Sequence, residues 1–383
     1  MRIELPYGRI PYPLELGTRD IAVLEAPRLP PPPPLDALLD AALVAPIGRP
    51  RLESLVSRNA CVTVIVSDAT RDEPRATFLT ALRRHLPAVR WTIAIATGTH
   101  GPAPLADLEL PEHILADATI VNHDGHHDAL VELGTTSRGT PVALPRCVLD
   151  ADLVIATGCI RPHYFAGFGA GIKAIFPGLG AALAIRRNHA LKLDPRARAG
   201  IVDGNPCRAD LEEAAALLPT PTFLLDGISA TDHQIHAAVA GDPITAFRAG
   251  VAIARPWFEV RGSRASLVIA SDTLPITASL YQAAKIAAAS APLVEPGGTL
   301  VIAAECAEGI GPLDVVNEAI FRIGVLPRLP PNTRLCLVSS LEREAVARTL
   351  LEPVDSIARL LAGASGPVTI IPSASQLILE QNS

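Results

Sequence analysis

CVTVIVSD, residues 61–68, decides how this chain folds. Five of its first six residues are apolar, and the run stops abruptly on a serine and an aspartate. A strand with one wet face alternates apolar and polar residues. This one does not, so both of its faces are covered, as in the parallel sheets of α/β proteins. The pattern recurs in WTIAIATGTH (91–100), ATIVNHD (118–124) and ADLVIATGC (151–159), with a helical stretch near 74–86. A second block begins near Ser266 with SLVIASDT (266–273), TLVIAAEC (299–306), TRLCLVSS (333–340) and VTIIPSAS (368–375). Strands alternating with helices imply the α/β class, with two α/β domains, largely parallel sheets and the active site in the cleft between them. RPWFEVRGSR (255–264) breaks the pattern and divides an N-terminal domain of residues 1–258 from a C-terminal domain of residues 259–383.

Composition narrows the function. Hydrophobic residues make up 49% of the 383 and charged residues 19%, with a net charge of -6. That balance argues against a disordered chain and against an electrostatic nucleic-acid binder. The apolar runs fall far short of the roughly 18 to 20 residues of a bilayer span, so no membrane segment is expected. MRIELPYGRIPYPLE, at the start, carries charges and prolines where a secretory signal would be apolar. The six cysteines form no CxxC pair, which suits reduced thiols in the cytoplasm. Prolines 30 to 34 read as an extended spacer leading into the helix of LDALLDAAL.

Polar residues gather where the strands end. Asp68 and Arg71 follow the first strand, His100 the second, Asn122, His123 and Asp124 the third, and Arg161 and His163 the fourth. In a parallel sheet these ends share one edge, where ligands of open α/β sheets bind. Helix capping explains a single such cluster but accounts poorly for several histidines and arginines together.

RPHYFAGFGAGIKAIFPG (161–178) is the barest segment. Gly167, Gly169 and Gly171 are spaced GxGxG, which is neither the dinucleotide GxGxxG nor a Walker loop around Lys173. Glycine here either permits positive φ and close approach of a ligand to free amides, or merely allows tight packing. Lys173 and His189 would lie roughly 24 Å apart on one continuous helix, so serving one ligand requires the chain to reverse at Pro177-Gly178.

The set SDATR, ATGTH, NHD, HYFAGFGAGIKAIFPG, the NH at 188–189 and YQAAK at 281–285 resembles the lactate racemase family, over about residues 60–310 and in the same order. Gly169 and Ala170 depart from it, standing where serine and glycine are expected. The resemblance implies a racemase or epimerase of a 2-hydroxy acid that uses a nickel-pincer nucleotide, the nickel complex of pyridinium-3,5-bisthiocarboxylic acid mononucleotide. It implies Lys173 as the covalent anchor and His189 as a nickel ligand, with His100 and His163 as acid/base pair. Asp68, Gly167, Gly169, Gly171, Pro177 and Gly178 would lie around the cofactor, and Arg71, Tyr281, Gln282 and Lys285 around the substrate. Enzymes that assemble the cofactor are implied partners.

The chemistry is coherent with that set. Removing the C–H proton beside a carboxylate gives a poorly stabilised carbanion, whereas hydride transfer gives a planar keto acid open to return on either face. Two enantiomers then need two bases, and histidine titrates in the right range, each base contributing about 10²- to 10⁴-fold. Arg71 suits a carboxylate. HDGHHD (123–128) could instead be a metal-ligand cluster, or a solvated polar turn. YQAAK is also a Tyr-x-x-x-Lys dehydrogenase pair, but no nucleotide loop precedes it. An NAD-dependent 2-hydroxy acid dehydrogenase and a non-catalytic ligand-binding protein on the same fold remain the competing readings. Phe165, Phe168 and Ile172 lean towards a short aliphatic substrate tail.

Overall fold

The computed structural model describes residues 2–17 and 21–382, in two compact units: Arg28–Trp257, and Met1–Pro27 together with Phe258–Ser383. The sheet of the first unit has six strands: β1 (Cys61–Ser67), β2 (Arg90–Ala96), β3 (Ala118–Asn122), β4 (Leu153–Ile160), β5 (Thr222–Ser229) and β6 (Ile235–Gly241). Their spatial order is β6-β5-β4-β1-β2-β3, all parallel except β6, which pairs antiparallel with β5. From β1 the chain winds to β2 and β3 on one side, then returns to place β4 on the other. The carboxyl ends of β1 and β4 therefore flank the point where the winding reverses, the position that in open sheets holds ligands.

The apolar runs do what their patterning requires. Residues 62–66 of β1 and 153–158 of β4 are buried throughout, covered by helices on both faces. Helix α1 (Arg75–His85) turns Phe78, Leu79 and Leu82 inward at helical spacing, and these pack with Leu39 and Leu43 of the earlier helix Leu35–Val44 over Val62, Val64, Ile93 and Ile95. Helices α2 (Ala182–Ala190), α3 (Pro206–Ala216) and α4 (Thr245–Phe258) complete the unit; Asn205 caps α3 by accepting from Arg208 N at 3.2 Å.

The second unit repeats the plan. Strands β7 (Ala265–Ser271), β8 (Val294–Ala303), β9 (Arg334–Val338), β10 (Glu352–Pro353) and β11 (Val368–Ile371) join Ile21–Val23 in the order β10-β9-β8-β7-β11-Ile21–Val23, all parallel. Here the winding reverses between β7 and β11. Helix α5 (Leu280–Ser290) follows β7 as α1 follows β1.

One expectation is corrected. Residues 1–27 do not join a domain running to residue 258: Ile21–Val23 pairs with Val368–Ile370, and Leu5 and Leu14 of a hairpin are buried beside Ile269 and Val301. A three-residue edge strand carries too little pattern to reveal its partner. RPWFEVRGSR, which breaks the strand pattern, is itself regular structure: α4 runs through Pro256 to Phe258 and strand Glu259–Gly262 follows, paired with Ile378–Gln381. No helix among the described residues is long and apolar enough to cross a membrane.

Candidate active site

At the carboxyl end of β1, Asp68 is only 3% exposed and fully engaged. Its Oδ1 accepts from the Thr70 amide (3.1 Å) and hydroxyl (2.6 Å), and its Oδ2 lies 2.6 Å from Nδ1 of His100, in the loop after β2. Burial pushes this carboxyl's pKa up, but the hydrogen bonds from His100 and Thr70, with the charges of His100 and Arg71, outweigh it and hold the carboxyl below its ordinary value. A carboxylate only accepts, so Nδ1 of His100 carries the hydrogen and Nε2 is left bare as a base. The ring is 46% exposed, within reach of a ligand.

Two side chains that sequence reasoning passed over hold this loop. Arg75 is buried and donates to the carbonyls of Ser67 (2.7 Å), Glu73 (3.2 Å), Arg71 (2.9 Å) and Asp68. Glu73 is also buried; it accepts from the Ser67 amide at 2.7 Å and from the Thr157 hydroxyl, tying β1 to β4 at the reversal. Arg71 itself is exposed, and its charge reaches both the Asp68 carboxyl and the Lys173 amine.

The glycine-rich segment folds as a small hairpin, Pro162–His163 against Gly167–Phe168. Nδ1 of His163 accepts from the amides of Ala166 (3.2 Å) and Phe165 (3.5 Å), so the neutral ring carries its hydrogen on Nε2. The two histidines thus offer different atoms: His100 a lone pair, His163 an N–H. The buried ring of Phe165 stands edge-on to His163 at 4.5 Å and to His189 at 4.8 Å between centroids, bringing these two into one aromatic cluster.

Lys173 lies in a short turn, Gly171–Ala174, with its amine pushed well below the ordinary lysine pKa by burial and by the charges of Arg71 and Arg208. His189, on α2, is lowered from 6.5 to about 4 by burial and by the neighbouring charge of Lys173. Burial is the largest cause in both, and the Lys173 charge adds to it at His189. The chain does reverse between them: Gly178 N bonds Lys173 O at 2.9 Å and Leu179 N bonds Ile175 O at 3.0 Å before α2 begins.

The glycines differ in what they need. Gly167 (φ 76°) and Gly171 (φ 65°) take positive φ; a Cβ on the first would run into the Ile201 carbonyl, and on the second would come within 2.7 Å of Phe247. Gly171 N donates to the buried carboxyl of Asp226 at 2.8 Å. Gly178 follows the cis peptide Phe176–Pro177, and a Cβ there would meet the Ala174 carbonyl. Gly169 has no such need, its nearest neighbours lying 3.7 Å from a Cβ position, whereas Ala170 takes φ 61° and ψ -160°, a region that glycine tolerates and alanine does not.

Loops from three strands are stitched around this turn. Gly98 N, before His100, donates to Gly178 O at 2.9 Å, and His123, fully buried, lies between Asp128 (2.8 Å) and the Gly180 carbonyl (3.1 Å). The 123–128 segment is therefore no solvated turn at its first histidine, and among the described residues no group of three or more His, Cys, Asp or Glu side chains could hold a metal ion. Phe165, Phe168 and Ile172 are also relocated. All three are at most 3% exposed and pack the core, so they say nothing about a substrate tail. Tyr281, Gln282 and Lys285 belong to the second unit, on α5, where Lys285 Nζ donates to Gln282 Oε1 at 2.6 Å.

The profile described as "Lactate racemase N-terminal domain" matches residues 7–200, half of the chain and every candidate residue from Asp68 to His189. This chain belongs to the lactate racemase family. A lactate racemase of Thermoanaerobacterium thermosaccharolyticum is 28% identical over 99% of both chains, and one of Lactiplantibacillus plantarum is 29% identical over 71% of this chain and 66% of that one. The apoprotein structure of the former superposes with a TM-score of 0.88 at 26% identity, covering 99% of this chain and 100% of that one. A Thermotoga maritima protein shares the fold, with a TM-score of 0.67 at 15% identity over 93% of this chain and 100% of that one. As a member of the lactate racemase family the chain is an isomerase, a racemase by reaction type.

Proposed function

We propose that the protein racemises or epimerises a 2-hydroxy acid, lactate or a related short acid, by proton-coupled hydride transfer with a nickel-pincer nucleotide. The observation that carries the reading is the pairing of Lys173 with His189. An amine that is to form a thioamide must be unprotonated, and an imidazole that is to ligate nickel must be neutral. Both conditions are favoured here by burial, helped by the charges of Arg71 and Arg208 at Lys173 and by the charge of Lys173 at His189. The residues present therefore fit the group: Lys173 as its anchor and His189 as a metal ligand. When bound, the group supplies a reversible hydride acceptor.

The chain's own residues do the rest. Nε2 of His100, its ring oriented by Asp68, takes the substrate's hydroxyl proton and returns it as the conjugate acid, and His163 is the second acid/base group, serving the hydroxyl of the opposite hand. Arg71 holds the carboxylate. The first unit carries the cofactor, and the reaction takes place in the cytoplasm, a placement supported by six cysteines that form no disulfide.

Protein produced with nickel and the cofactor-assembly enzymes is expected to show an adduct on Lys173 in its intact mass. It should also convert single enantiomers of lactate or a close analogue to a mixture on chiral chromatography, with no net oxidation. Unmodified Lys173 in a preparation that still racemises would overturn the covalent reading.

A further inference from the structure

A buried chain of hydrogen bonds runs from the far side of the first unit to His189. The turn of the hairpin Val131–Thr135/Pro141–Leu144 places the hydroxyls of Thr136 (2.5 Å) and Thr140 (2.8 Å) on the two oxygens of Asp210, in α3. Nδ2 of Asn188, in α2, donates to the same carboxylate at 2.8 Å and to the Cys207 carbonyl at 3.2 Å. Oδ1 of Asn188 then faces Nδ1 of His189 at 3.2 Å. Thr136, Thr140, Asn188 and Asp210 are each at most 4% exposed, so water does not substitute for these partners.

The direction of the chain is fixed by chemistry. A carboxylate and a peptide carbonyl only accept, so the Asn188 amide cannot flip without turning its oxygen onto both of them. Its oxygen must face the ring, and the ring must answer with an N–H. We infer that Asn188 and Asp210 are positioning residues that hold His189 as its Nδ1–H tautomer, leaving Nε2 bare for a metal. Resting on the reading of His189 as a ligand, this adds a second layer to it: a ligating histidine is oriented by what its other nitrogen bonds, and losing such a partner typically costs 10- to 100-fold in affinity or activity. Nothing in the sequence flags Asp210, which lies in an ordinary helical stretch, PCRADLEEAAA.

The test reads the tautomer in the apoprotein, with no cofactor present. Two-bond proton–nitrogen correlation spectra of histidine-labelled protein, recorded above the ring's titration and assigned with His189→Gln, should show Nδ1–H at His189. Asn188→Leu should lose that signature, because a neutral imidazole left to itself favours Nε2–H. If Asn188→Leu does not fold by circular dichroism, Asn188→Ala is read in its place. A wild-type ring in the Nε2–H form overturns the proposal. So does a leucine or alanine variant that keeps Nδ1–H, since the Ile185 carbonyl, which also bonds this ring, would then suffice. The ligand reading fails separately: His189→Gln enzyme loaded with the cofactor and retaining its full nickel content by elemental analysis would sink it while leaving the tautomer result intact.

Discussion

Each unit has a central strand that ends in Ser-Asp beside the point where the winding reverses: Ser67-Asp68 after β1 and Ser271-Asp272 after β7. Both carboxylates are buried, and both take several hydrogen bonds, yet they do different things. Asp272 accepts from the amide of Thr273 (2.8 Å), the amide and hydroxyl of Ser375 (2.8 and 2.6 Å) and the side-chain amide of Gln376 (3.1 Å). None of these donors can give up its proton, and two of the three residues lie in the loop after β11, so the carboxylate closes the crevice of its own sheet. Asp68 spends one oxygen on Thr70 and turns the other to His100, a half-exposed ring that can gain and lose a proton. Position at the reversal makes a site available; the identity of the donor decides whether chemistry or architecture takes it.

The largest test of this contrast is kinetic. His100→Gln should lower the racemisation rate by about 10²-fold or more, measured by chiral chromatography on folded protein, because the base is gone. Asp272→Asn should do the reverse, lowering unfolding free energy in urea by about 1–3 kcal/mol while folded molecules keep their turnover. Loss of turnover in Asp272→Asn to the extent seen for His100→Gln would erase the distinction.

Acid sharpens it further. The Asp68 carboxyl is depressed in the folded state, so the stability it adds is present above the ordinary carboxylate range and is lost as pH falls through its folded value; Asp68→Asn should flatten that limb. His189 has the opposite chemistry and the same slope. Between 6.5 and about 4 the unfolded chain binds a proton that the folded ring refuses, so apoprotein stability falls as pH is lowered through that window and His189→Gln removes the trend. The smallest effect concerns the turn before Lys173. Ala170→Gly should stabilise by about 1 kcal/mol by relieving its positive φ, and Gly169→Ser should change stability by less than about 0.5 kcal/mol, both by urea denaturation.

Much of this was legible in the sequence. Continuous apolar runs marked the strands because burial on both faces leaves no room for alternation, and the residues after them marked the edge where Asp68, His100 and His163 lie. Asp272 carries the same local signal as Asp68, and only the fold shows that Ser375 and Gln376 come round to occupy it. His123 was misread for a related reason: beyond Asp128 in its own loop, its partner is the distant carbonyl of Gly180, a backbone group with no side-chain identity to recognise. Asn188 and Asp210 sit 22 positions apart on different helices, and polar residues on helices ordinarily face water.

The first strand of the chain to enter either parallel sheet, Ile21–Val23, has its hydrogen-bonding partner in Val368–Ile370, near the other terminus. On the ribosome those three residues emerge long before anything exists for them to pair with, and the whole Arg28–Trp257 unit can complete itself in the interval. The loop they eventually close is long, but closure entropy grows only logarithmically with length, so the delay is set by synthesis. An open strand edge waits on translation, and a nascent chain stalled before residue 368 should present it to chaperones.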